Sequence, residues 1–204
     1  MLEPNTTIMF QGDSITDCGR NRLDGASLGN GYVNLINHYI QQHFENIKCL
    51  NRGIAGNRTA DLKRRWKRST LSEDIDILSL LAGVNDTWRR YDAGVVTTTE
   101  QFKEHYYYLL ESAKEANPDL KIILMAPFLL PTEPKQLNWH EDLAPKIEVV
   151  EQAAKDFDAT YVPLQEIFNS QISAEQPNCY WVSDGVHPTA KGHILIAKEW
   201  IEAL

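Results

Sequence analysis

The chain is predicted to be an α/β protein, a three-layer α/β/α sandwich around a five-stranded parallel sheet. Short, β-prone apolar segments alternate with helical patterns along its whole length, at about the spacing of βαβ units. The clearest strand, residues 75–81, is apolar at nearly every position, as expected of a strand covered on both faces. At 204 residues the chain suits one domain, 1–204, large enough to bury a substantial core.

Thr7 to Phe10 is short, β-prone and closed by Gly12, which predicts the first strand. A polar, glycine-rich stretch runs from Gly19 to Gly31, after which Val33, Ile36, Ile40 and Phe44 mark one helical face. Residues 47–50 form the second strand, ended by Asn51-Arg52-Gly53. Residues 59–69 read as a short basic helix, with Leu62 and Trp66 one turn apart and Thr59 as its N-cap. Phe102, Tyr106, Leu109 and Ala113 mark a long helix that Asn117-Pro118 stops. Residues 122–125 give the fourth strand and Thr160 to Val162 a short fifth. Between them Trp139, Leu143, Ile147, Val150 and Ala154 lie at helical spacing. Ile194, Ala197 and Trp200 or Ile201 give the face of a closing helix. No internal repeat, low-complexity tract or linker stands out.

Composition narrows the function classes. A hydrophobic content of 43% with 24% charged residues is that of a soluble globular protein. The net charge of −8 argues against nucleic acid as a partner, because phosphate-backbone binding needs a basic footprint. No segment approaches the apolar length needed to span a membrane. Met1-Leu2-Glu3-Pro4-Asn5 lacks the basic start and apolar run of a secretion signal. Cys18, Cys49 and Cys179 are odd in number and lack C-x-x-C spacing, which argues against a disulfide framework or zinc knuckle. A reduced, cytoplasmic location is the expectation.

In open parallel sheets, ligands bind beyond the carboxyl ends of the strands. Ser14, residues 51–56 and residues 83–86 all fall just after predicted strands, so all belong on that edge. A serine hydroxyl attacks well only when a base takes its proton. His187 is the best candidate base. Asp184, three residues earlier across Gly185-Val186, is spaced to accept the Nδ1 proton and hold Nε2 toward Ser14. Acyl transfer also needs donors for the oxyanion. The N–H of Ser14, the N–H of Gly56 and the amide of Asn85 are the candidates, although Gly-Asn and Asn-Asp are also common turn formers.

Gly12-Asp13-Ser14, Gly56, Gly83-Val84-Asn85-Asp86 and Asp184-Gly185-Val186-His187-Pro188 resemble, in order, the blocks of the SGNH hydrolase (GDSL esterase/lipase) superfamily. The resemblance runs from residue 8 to about residue 196. It implies a flavodoxin-like α/β/α fold and a serine esterase using no metal or organic cofactor. It places the nucleophile on Ser14, the rest of the triad on Asp184 and His187, and the oxyanion hole on Ser14, Gly56 and Asn85. Residues 12–20 and 85–92 are further similar to the intracellular carbohydrate acetylesterases, including acetylxylan and xylo-oligosaccharide deacetylases. That subgroup implies an acetylated carbohydrate substrate and a homo-oligomer.

Trp88, Tyr91 and Trp181 lie within a few residues of these positions and are candidates to stack on a sugar ring, or to serve the core or a subunit contact. Residues 19–31 lack the long apolar stretch of a lipid-binding lid, which favours a small acyl group. Arg58 is placed to touch a substrate or pair with Asp61 or Asp86, and residues 63–68 read as a solvated helix face or an interface. Asp13 reads as structural support for the turn, and Cys18 as a spectator. Four rival readings stand beside the acetylesterase. They are a broad-specificity short-chain or lysophospholipase-like acylhydrolase, a metal hydrolase liganded by Asp13, Asp17, Asp184 and His187, a non-catalytic sugar binder, and a nucleotide- or flavin-binding relative.

Overall fold

A computed structural model describes residues 2–204. Five strands form one parallel sheet in the order β2-β1-β3-β4-β5. They are β1 (Thr7–Gly12), β2 (Lys48–Asn51), β3 (Ile77–Leu81), β4 (Lys121–Met125) and β5 (Thr160–Val162). The strand order reverses between β1 and β3, where Phe10 faces Ser79 and Gly12 faces Leu81 in register. A cleft is expected at the carboxyl ends of these two strands, because their crossover connections leave in opposite directions.

Both faces of the sheet are covered. Ile8 and Phe10 of β1, Ile77 and Leu81 of β3, and Ile123 and Met125 of β4 pack with helices α2 (Tyr32–His43) and α9 (Ala190–Glu202). Met9, Leu78, Leu80, Ile122 and Leu124 face the other way, toward α3 (Thr59–Ser69), α5 (Thr99–Ala116) and the second half of α6 (His140–Asp156). All five residues of β3 are buried, and its one hydroxyl, Ser79 Oγ, accepts the Trp200 indole N–H at 2.9 Å. That bond satisfies a buried polar pair at the centre of the sheet.

The ends of the helices follow local chemistry. In α5, Thr98 Oγ1 accepts the Gln101 N–H and Gln101 Oε1 accepts the Thr98 N–H, a reciprocal cap that starts the helix. Thr189 caps α9 by accepting the Gly192 N–H, two residues after His187. No described helix is long and apolar enough to cross a membrane.

Several expectations shift. The third strand begins at Ile77 rather than Ile75, and Trp139 ends a 3₁₀ turn, Pro134–Trp139, ahead of α6. Residues 84–86 are the first turn of a helix, α4 (Val84–Asp92). A four-residue helical turn, α1 (Ser14–Asp17), follows β1, while α7 (Leu164–Gln171) and α8 (Asn178–Trp181) lie in a stretch with no clear apolar period. Arg58, not Thr59, holds the N-cap of α3, because Asp61 accepts the Arg58 N–H and the Thr59 hydroxyl is turned to Asp86. In α9, Ile194 is 51% exposed whereas Leu195, Ile196 and Trp200 are buried. Three consecutive apolar residues make the period ambiguous there, and the bulky Trp200 sets the inward face.

Candidate active site

Ser14 opens α1 directly after β1. Asp13 makes that turn by accepting the Ile15 N–H at 3.0 Å, a cap of the short helix that leaves Ser14 at its first position. Gly12 is required here: a Cβ would meet Leu81 O at 2.3 Å and Thr16 Oγ1 at 2.4 Å. Asp13 is buried, and burial pushes its carboxyl up to about 7 against the opposing pull of the Ile15 N–H and His187.

From the far end of the chain, residues 182–188 fold back over this turn. Val182 and Pro188 form an isolated antiparallel bridge, and Leu130 N–H donates to Gly185 O at 2.9 Å. His187 Nε2 lies 2.8 Å from Ser14 Oγ, and His187 Nδ1 lies 2.7 Å from Asp184 Oδ2. A carboxylate only accepts, so Nδ1 carries the hydrogen and Nε2 is free to accept from the serine. Asp184 Oδ1 also accepts the N–H groups of Val186 and His187, at 3.1 and 2.8 Å. Burial alone would raise this carboxyl, but those N–H groups and the His187 ring outweigh it and hold it below its ordinary value. Serine, imidazole and carboxylate thus form one continuous hydrogen-bonded line.

Besides the Ser14 N–H, the oxyanion candidates stand on the loop before α3 and on the first turn of α4. Gly56 has φ +80°, and a Cβ there would meet nothing within 4 Å. The positive φ selects glycine, rather than a close backbone neighbour. Asn85 is buried in the first turn of α4 and gives one amide hydrogen to Asn57 O at 3.3 Å, which keeps the other available. The Gly56 loop is tied to the serine turn: Ile54 N–H donates to Gly12 O at 3.1 Å, and Ala55 N–H to Asp17 Oδ2 at 2.9 Å.

Three residues hold this frame in roles the sequence did not assign to them, although Asp86 belongs to the Gly83–Asp86 block. Asp86 is fully buried and accepts both the Thr59 N–H (3.0 Å) and the Thr59 hydroxyl (2.6 Å), pinning α4 to the start of α3. Arg65 lies in the stretch read as a solvated face, yet it donates to Asn57 Oδ1 at 2.7 Å and Gly12 O at 3.3 Å. That inward turn corrects the expectation, and burial lowers its guanidinium to about 10. Gln136 is buried beneath the 182–188 loop and donates to Asp184 O at 2.6 Å. Its carbonyl accepts the Thr132 and Glu133 N–H groups at 2.9 and 3.1 Å. No motif marks Gln136, which stands 48 residues from its partner.

The candidate sugar-contact aromatics divide. Trp88 lies with its ring centroid 5.6 Å from that of His187. Tyr91 lines a recess next to Asp184. Trp181 is only 7% exposed and packs edge-on against Tyr180 and Phe168 in the core, so it takes the packing role. Arg58 pairs with Asp61 at 3.2 Å. Cys18 Sγ lies 3.3 Å from His193 Nε2, but His193 Nδ1 accepts the Tyr32 N–H, so Nε2 holds the hydrogen and supplies no base. Burial lowers His193 to about 4, which keeps it neutral. Asp13, Asp17, Asp184 and His187 do not form one ligand set: Asp17 is taken by Arg22 and Ala55, and Asp184 by its own loop. Among the described residues no three His, Cys, Asp or Glu side chains gather as a metal site would need.

Residues 10–195 match the model of the GDSL-like lipase/acylhydrolase family. The chain belongs to that family. It is 33% identical to a protein named acetylxylan esterase from Geobacillus stearothermophilus, over 97% of this chain and 93% of the relative. The solved structure of a G. stearothermophilus acetylxylan esterase superposes with a TM-score of 0.89 at 30% identity, covering 98% of this chain and 94% of that one. A structure from Parabacteroides merdae described as a GDSL-like lipase gives a TM-score of 0.92 at 33% identity, covering 100% and 97%. Variants of the Geobacillus enzyme with a serine, an aspartate or a histidine replaced by alanine are described as catalytic mutants. The fold is that of the SGNH hydrolases, and this family member is a carboxylic ester hydrolase.

Proposed function

We propose that the protein removes acetyl groups from carbohydrate esters such as acetylated xylo-oligosaccharides, through an acyl-enzyme on Ser14. The observation that carries this reading is the unbroken Ser14–His187–Asp184 hydrogen-bond line at the carboxyl edge of the sheet. His187 Nε2 takes the Ser14 proton as Oγ attacks the ester carbonyl. Asp184 keeps the imidazole in the tautomer that can do so. The N–H groups of Ser14 and Gly56 and the amide of Asn85 receive the developing oxyanion. His187 then returns the proton to the leaving sugar oxygen, and water repeats the sequence to release acetate. Trp88, against the His187 ring, flanks the acetylated sugar. The acetyl-carbohydrate assignment is supported by the likeness to acetylxylan esterases and by the absence of a long apolar run in residues 19–31.

Ser14→Ala should abolish p-nitrophenyl acetate hydrolysis, with a loss on the order of 10⁴-fold or more, while the thermal midpoint stays close to wild type. Wild-type turnover by that variant would sink the assignment. A serine-directed fluorophosphonate should inactivate the enzyme and excess EDTA should not; the reverse pattern would favour metal chemistry. The same reading carries the expectation of a homo-oligomer, which light scattering on the purified protein tests.

A further inference from the structure

Next to Trp88 and Asp184 lies a recess of about 360 Å³, within the size range of ligand sites, ~300–1,000 Å³. Its walls include Trp88, Tyr91, Trp139, Glu133, Lys135 and Asp184. Trp139 is buried, and Tyr91 stacks on it with ring centroids 5.1 Å apart and planes 11° apart. Tyr91 nevertheless remains 40% exposed, so its accessible surface is the opposite face and the ring edge. The Tyr91 hydroxyl donates to Asn138 O at 3.1 Å, which fixes the ring in place. This is a flat aromatic platform held rigid from behind.

We propose that this recess is a subsite for the sugar unit next to the one that carries the ester, an inference that rests on the carbohydrate reading above. The proton returned by His187 must reach the leaving oxygen, so the alcohol half of the substrate lies on the His187 side of Ser14. Trp88 and Asp184, which wall the recess, both adjoin the His187 ring, Trp88 ring to ring and Asp184 through Nδ1. An oligosaccharide bound through its acetylated unit therefore extends into the recess. Its rim is charged: Glu133 pairs with Lys135 at 2.7 Å, and Asp92, paired with Arg89, adds a second carboxylate. Sugar hydroxyls can hydrogen-bond such groups, while a fatty acyl chain would only desolvate them. The ring of Tyr91 offers its face to the C–H side of a pyranose. Tyr91 and the recess around it set the preference for an oligosaccharide over a single acetylated sugar.

The test compares wild type, Tyr91→Ala and Tyr91→Phe on p-nitrophenyl acetate, an acetylated xylose and acetylated xylo-oligosaccharides of two to four units. Wild type should gain in kcat/KM from the single sugar to the disaccharide. Tyr91→Ala should cut kcat/KM on the oligosaccharides about tenfold more than on p-nitrophenyl acetate, mostly through KM, and Tyr91→Phe, which keeps the ring on Trp139 but loses the bond to Asn138 O, should show a smaller selective loss. An equal fall on both substrates, or no fall on either, would overturn the subsite. So would a selective loss on p-nitrophenyl esters of longer acyl chains, which would assign the recess to the acyl group. Failure of wild type to release acetate from any saccharide, with p-nitrophenyl acetate still hydrolysed, would instead overturn the carbohydrate reading and the subsite with it.

Discussion

Asp13 stands beside Ser14 with one carboxylate oxygen on the Ile15 N–H and the other buried without a hydrogen-bond partner among the described residues. Its carboxyl sits at about 7, raised by burial, and that of Asp86 at about 6 for the same reason despite its bonds from Thr59. A raised carboxyl binds its proton more tightly in the folded than in the unfolded chain. Its contribution to stability is therefore complete below the ordinary carboxylate value and is lost as pH rises through about 7. Thermal unfolding of the wild type should show this decline between pH 4 and 8. Asp13→Asn keeps an acceptor for Ile15 but has no charge to bury. It should flatten the decline, with a relative gain on the order of 1–3 kcal/mol at pH 8. Parallel curves for the two proteins would show that Asp13 does not titrate in this range. The sequence supplied Asp13 as a support for the turn, since Gly-Asp-Ser after a strand already suggests a cap. The rise of its carboxyl was not legible, because it depends on burial and on charges such as Asp86 that only the fold brings near.

At the scale of elements, the 182–188 loop delivers two of the three residues in the hydrogen-bonded line, and Gln136 holds that loop from below. Gly185 has φ +91°, and a Cβ there would meet the Gln136 amide at 2.6 Å, so glycine and glutamine fit as a pair. Gln136→Glu preserves the shape and the acceptor but replaces the donor to Asp184 O with an acceptor. Leaving a buried carbonyl unsatisfied costs about 1–3 kcal/mol. We expect kcat on p-nitrophenyl acetate, which does not reach the recess that Gln136 also lines, to fall at least about tenfold, since the imidazole loses its fixed position. A variant with wild-type kcat would show that the loop holds its shape without Gln136. Local patterns exposed the strands and the long helices, whose signal is their own periodicity. They did not expose α7, α8 or the inward turn of Arg65, because those depend on which surface the neighbouring loop presents. The basic run 63–68 reads as solvated by composition, and only packing turns one of its arginines toward Gly12.

Over the whole molecule, two apolar layers share a single sheet, and β1, β3 and β4 contribute to both. Neither layer can lose its packing without exposing the other face of the same strands, so the domain should unfold as one unit. Calorimetry should give a single transition with a heat-capacity increment of about 2.4–3.1 kcal/mol/K for 204 residues. Loss of esterase activity should track that transition, because Ser14 follows β1 and Asn85 follows β3 with only short turns between. Two resolved transitions would contradict the one-domain reading.

The sequence by itself determined the fold class, the parallel strands and the identity of the residues that meet at Ser14, because apolar periodicity and short motifs are local properties of the chain. It also determined the family, through four blocks in a fixed order. Tertiary structure alone decided that Trp181 packs in the core while Tyr91 opens onto a recess, that Arg65 turns inward, and that Gln136 and Asp86 brace the site. Those outcomes depend on which surfaces come into contact across tens of residues, and a one-dimensional pattern carries no record of that contact.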